Sequence, residues 1–145
     1  MKLEYQVASL ELCKRLKELG VRRESAFYWC CAEQKDNRWV LLGSGREYYE
    51  KGGSWSVDDF FPESRCAAFN VAELGEMLPH HIGYELGPDF YCEKVAIGWK
   101  VYYWSIAKSK WDGVEFLADT EANARAKMLI YLIEQGIVKL KKDGE

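Results

Sequence analysis

No run in this 145-residue chain is long and apolar enough to span a bilayer, and the opening MKLEYQVASLELCKRL breaks each apolar stretch with charge. Neither a membrane span nor an export leader is expected, and the chain reads as cytosolic. Signatures of familiar catalysis are missing too. There is no GxSxG, the GSG at 43–45 does not continue into GxGxxG, and no GxxxxGK[ST] occurs, which excludes P-loop nucleotide hydrolysis by motif. Five cysteines are present, an odd number without CxxC or zinc-finger spacing, so reduced thiols acting as small apolar fillers are expected. The net charge of -3 supplies no global basic field, which argues against duplex nucleic acid as a partner while leaving room for a local basic patch.

What the chain does have is apolar and aromatic content. Hydrophobic residues make up 48%, charged residues 30% and aromatics 14%, the last including six Trp and nine Tyr. That balance suits one globular domain with one core, and disorder is excluded by the even spread of apolar residues.

Local patterns order this content. Residues 9–19, SLELCKRLKEL, place Leu12, Leu16 and Leu19 on one helical face, with Ser9 as N-cap and Gly20 as a left-handed C-terminal cap. AFYWCC (26–31) and RWVLL (38–42) flank the polar AEQKDN and predict a β-hairpin, in which Cys30 and Cys31 point to opposite faces. Residues 43–65 carry four glycines and no period, and read as a long irregular loop, with a short strand around Tyr48 and Tyr49. Asn70 with Glu73 predicts a capping box that opens a short helix, with Val71, Leu74 and Leu78 as its apolar stripe and Pro79 as its stop. YCEKVAI (91–97) and WKVYYWSIA (99–107) predict a second hairpin around Gly98; large rings on both faces of its second strand suggest a central strand covered on both sides. WDGVEFL (111–117) adds a turn and a short strand. Asp119 or Thr120 then caps a helix over 121–135, with Ala122, Ala126, Leu129 and Ile133 on one face, and residues 139–145 are expected to fray. The order predicts a single α+β domain: an antiparallel sheet of about four to five strands packed by three helices.

The segments AFNVAELGEMLP (68–79) and ADTEANARAKMLIYLIEQGI (118–137), with SLELCKRLKELGVRRESAFYW near the start, resemble a set of small proteins encoded by phages and prophages. About half the chain is covered, and residues 43–65 are skipped. The resemblance implies a small phage accessory protein, a class that often modifies host physiology or blunts host defence, acting in the host cytoplasm. It carries no residue-level function with it.

For binding, the loop GSGREYYEKGGSW (43–55) is the richest segment. Its glycines can bring backbone amides toward an anion, Arg46 and Lys51 supply charge, and Tyr48, Tyr49 and Trp55 can stack on a base or pack on a partner. The plain alternative is an ordinary loop with its rings folded inward. Arg125, on the last helix, is placed to reach a nearby carboxylate or ligand, while Lys127 faces another direction. His80 and His81 are adjacent, so they diverge and do not chelate one metal unaided. Asp58, Asp59 and Glu63 form an acidic cluster without EF-hand or two-metal spacing. The leading expectation is a non-enzymatic protein, without metal or other cofactor, that binds a host protein or sequesters a nucleotide-like signal. The alternatives are a small nucleotide-acting hydrolase or lyase using His80 or His81 with the loop carboxylates, and a structural interaction module, including a homo-oligomer.

Overall fold

The computed structural model describes residues 2–45, 48–50, 53–82, 88–104 and 114–140, with side chains for all of these except 48–50. Three helices, α1 (Leu10–Glu18), α2 (Val71–Met77) and α3 (Glu121–Glu134), pack with antiparallel strands into an α+β fold. No helix among the described residues is long and apolar enough to cross a membrane.

Each helix begins where its cap lies. Ser9 accepts from the Leu12 amide at 3.4 Å, and Thr120 accepts from the Asn123 amide at 3.1 Å. Asn70 and Glu73 complete a reciprocal capping box, each side chain accepting from the other's backbone N–H at 2.9 Å. The ends follow the same logic. Gly20 and Gly136 adopt φ of +98° and +74°, which lets the amides of Val21 and Ile137 fold back onto the carbonyls of Leu16 and Leu132. Leu78, before Pro79, has left helical space at φ -78°, ψ 130°.

Strands β1 (Phe27–Glu33) and β2 (Arg38–Gly43) form the first hairpin, with a bulge near Cys31 and Glu33. The segment read as an irregular loop holds more structure than its sequence suggested. It contains a two-stranded ribbon, β3 (Tyr48–Glu50) with β4 (Gly53–Trp55), two 3-10 turns (Val57–Asp59 and Pro62–Ser64), and the start of β5 (Arg65–Ala67), which pairs with β1. Strands this short leave too few residues for an alternation to register. Strands β6 (Asp89–Val95), β7 (Gly98–Trp104) and β8 (Glu115–Ala118) make a second sheet in the order β6-β7-β8. The strands thus divide into two three-stranded sheets and the ribbon: β2 and β5 fill both edges of β1, β6 and β8 fill both edges of β7, so the two hairpins do not join.

β7 is central, as expected, but among the described residues only one of its faces is covered. Val101 and Tyr103 are buried beneath α3, whereas Trp104 on the other face is 50% exposed. The expected continuation of this strand through 105–107, and residues 111–113, lie outside the described residues.

Helix α3 organises the core. It packs on α1, α2, β7 and β8, burying Ala122, Ala124, Ala126, Met128, Leu129 and Leu132. Three alanines let its backbone approach its neighbours closely. The N-terminal segment ties the halves together: the Ala8 carbonyl accepts from Trp29 Nε1 at 3.1 Å, its amide donates to Phe69, and the Ser9 amide donates to Asn123 Oδ1 at 2.7 Å. At the other end Leu140 packs on the core, so the described part of the expected frayed tail is anchored; 141–145 lie outside the described residues.

Candidate functional site: a cationic hollow

Two hollows differ in what lines them. The larger, about 830 Å³, lies where the N-termini of α2 and α3 meet Tyr5, Phe27 and Trp99. Its polar side chains are committed to local structure. Asn70 caps α2, Thr120 caps α3, Asp119 accepts from Asn123 Nδ2 at 3.0 Å, and Glu121 holds Arg125. Both charged lining residues, Asp119 and Glu121, are acidic.

The second hollow, about 410 Å³, opens between the end of α1, the segment that follows it, β1 and β5. Among the described residues, Lys17, Arg22, Arg23 and Arg65 line it, without a carboxylate, alongside Val21, Tyr28, Pro62, Ala67 and Phe69. A neighbouring depression of about 450 Å³ shares Lys17, Arg65 and Cys66 and adds Lys14, Trp39, Glu18 and Glu63.

Local structure explains why the cations converge. Lys17 leaves the last turn of α1 and donates to the carbonyls of Pro62 and Arg65, the latter at 2.6 Å, which ties the helix to the approach of β5. Those acceptors are neutral, so its charge stays uncompensated by them. Arg65 donates to the Val57 carbonyl at 2.9 Å and lies 3.6 Å from Asp58, a side chain that is 97% exposed and thus well screened. Arg23 pairs with Glu76 on α2. Lys14 sits 4.5 Å from the centroid of the Trp39 ring, a cation–π contact at the rim of the depression.

The thiols beside the hollow are inert. Burial pushes Cys13 up to about 12 and Cys66 up to about 11, the latter despite opposing pulls from Lys17 and Lys14. Both are neutral thiols at pH 7, which serves packing rather than nucleophilic attack. The arrangement can attract and hold an anion with an apolar or aromatic portion.

The residues singled out from sequence are dispersed. Arg46 and Lys51 lie outside the described residues. Tyr48 and Tyr49 belong to β3, and Tyr48 pairs with Trp55, whose ring is 38% exposed and folds over Gly53. His80 and His81 are exposed beyond α2, where the His80 carbonyl accepts from the Phe90 amide and His81 bridges to Asp89 through backbone. Asp59 accepts from the Ser56 amide at 2.7 Å in a capping box, and Asp58 faces Arg65. Among the described residues no hydrogen bond or ion pair links either histidine to Asp58, Asp59 or Glu63, and no group of three His, Cys, Asp or Glu is placed to hold a metal.

Arg125 reaches a carboxylate, as its position suggested. Its Nε and Nη2 donate to Glu121 Oε1 at 3.1 and 2.9 Å, and its guanidinium lies 5.3 Å from the Phe90 ring. A partly buried, doubly bonded arginine between α2, α3 and β6 is a packing device. Lys127 donates instead to the Leu117 carbonyl at 3.0 Å.

Sequence reasoning passed over Lys17, Arg22, Arg23 and Arg65. A signal was present: residues 14–23, KRLKELGVRR, concentrate five cations against the single carboxylate of Glu18 in a chain of net charge -3. Arg65 joins them only through the pairing of β5 with β1. Comparison with protein families, curated proteins and solved structures finds no match to this chain.

Proposed function

We propose that this protein is a non-enzymatic accessory protein, phage-encoded and acting in counter-defence, that captures a small phosphate-bearing ligand of the nucleotide class in the cationic hollow. One observation carries the reading: on an acidic chain, four cations and no carboxylate among the described residues line a cavity of about 410 Å³. Phosphate matches guanidinium and ammonium donors, and clustered cations raise the local concentration of an anion. The half-buried Tyr28 offers an aromatic surface for a base beside the charge.

Calorimetric titration with inorganic pyrophosphate, linear dinucleotides and cyclic dinucleotides tests the proposal. Saturable binding by at least one of the nucleotides, tighter than pyrophosphate and without turnover of the bound molecule, is the expected result. Arg22→Glu with Arg23→Glu, both at exposed positions, should weaken it by at least about tenfold. Absence of saturable binding across the panel, or affinity unchanged by the double charge reversal, overturns it.

A further inference from the structure

The outer face of the second sheet carries an aromatic row that nothing among the described residues covers. Strand alternation and register place Asp89, Tyr91 and Glu93 of β6 on the same face as Trp104, Tyr102 and Lys100 of β7, with Asp89 directly opposite Trp104 and Tyr91 opposite Tyr102. Glu115 pairs with Tyr102 from β8. Tyr91 and Trp104 are 41% and 50% exposed. Exposed rings of this size, gathered on one face, mark an interaction surface.

Ring geometry selects among occupants. Tyr91 and Tyr102 stack on each other at 5.5 Å with an interplanar angle of 16°, and Lys100 lies 5.1 Å from the Tyr102 centroid. Those contacts occupy the tyrosine faces, so the row is poorly suited to stacking successive bases or sugars. Trp104 touches Tyr91 edge-on, at 6.4 Å and 74°, and is the most exposed ring of the row. Trp is the best cation–π acceptor among side chains. Its cross-strand partner is a carboxylate, Asp89, within reach of anything seated on the indole. Lys100 is already engaged by Glu93 at 3.2 Å and Glu115 at 3.8 Å, so among the described residues three carboxylates, with Asp89, share this face with one cation.

We infer that this face docks an arginine-bearing segment of a partner protein, one guanidinium stacking on Trp104 while Asp89 accepts its planar N–H pair. A guanidinium can stack and form a two-point bond to a carboxylate at once, which an ammonium cannot. The site is open and shallow, and the flanking tyrosines extend it beyond one side chain, which suits a segment of chain rather than free arginine. This surface is built from strands that do not line the cationic hollow, so it stands or falls apart from the function proposed above.

Titration of the ¹⁵N-labelled full-length protein with blocked tripeptides of arginine, lysine or glutamate, followed by NMR, tests the inference. The arginine peptide should shift the Trp104 indole N–H and the amides of Tyr91 and Asp89, with weaker shifts from lysine and none from glutamate. Trp104→Ala should reduce arginine-peptide affinity about tenfold, Trp104→Phe less, and Asp89→Asn about threefold. Both side chains are exposed, and the amide spectrum of each of the three variants reports its fold. A glutamate peptide that binds this face, a lysine peptide that matches arginine, or shifts unchanged in Trp104→Ala would each overturn it.

Discussion

Burial decides the chemistry of individual residues here more than their type does. Desolvation raises the Cys13 and Cys30 thiols from an ordinary 9.0 to about 12. A folded-state pKa above the unfolded value stabilises fully below about pH 9, and that contribution is lost as pH climbs through 9 toward 12. Urea midpoints measured from pH 8 to pH 11 should therefore fall with rising pH, and Cys13→Ala, although less stable at pH 8, should show a shallower fall. Equal slopes for the two proteins would show that the thiol is not the group responsible. Gly75 offers a second residue-level test. A Cβ there would stand 2.9 Å from Arg125 Nη1, and that guanidinium is held by Glu121. Helix propensity alone would make Gly75→Ala stabilising by about 0.5–1 kcal/mol. With Arg125 present the displaced ion pair should reverse that gain, and with Arg125→Ala the gain should reappear. A double-mutant cycle in urea reads the coupling directly. The role of Arg125 was partly legible in sequence, because a carboxylate four residues back is a helix neighbour. Its contact with Gly75 was not, since it depends on how α2 crosses α3.

At the scale of elements, the three helices were legible because caps and stripes are local. Ser9, Asn70, Thr120, Gly20, Gly136 and Pro79 each act within four residues of themselves. Both hairpins were legible for the same reason. What escaped was non-local: β5, three residues long and identifiable only by its partner β1, and the open outer face of β7, whose large rings read as covered although Trp104 is exposed. Gly98 marks the tightest constraint among these elements. Its φ is +141°, and a Cβ would come within 2.2 Å of the Ala118 carbonyl oxygen on β8. Neither the left-handed backbone nor that backbone contact can relax cheaply. Gly98→Ala should cost more than about 2 kcal/mol in urea unfolding, with faster amide exchange in β7 and β8. A loss below 0.5 kcal/mol, on the order of a surface change, would mean that the turn accommodates a side chain by shifting β8.

Over the whole molecule, the distribution of charge matters more than its sum. A net charge of -3 conceals a cationic hollow on α1 and β5 and an acidic aromatic face on β6, β7 and β8. The hollow was only half legible as a site: Lys17, Arg22 and Arg23 lie within one cation-rich run, but Arg65 reaches them only when β5 pairs with β1 and the Lys17 ammonium pins the approach to β5. Its field is exposed, so salt should reach it. Between about 0.1 M and 1 M salt the Debye length falls from about 10 Å to about 3 Å. Binding of a phosphate-bearing ligand should weaken at least about tenfold over that range if several cations act together. Stability should change far less, because α3 holds the fold through apolar contacts with α1, α2, β7 and β8, and salt does not screen those contacts. Parallel calorimetry and urea unfolding at both salt concentrations separate the two effects. Affinity that holds steady across that range would show that the cations of the hollow do not hold the ligand.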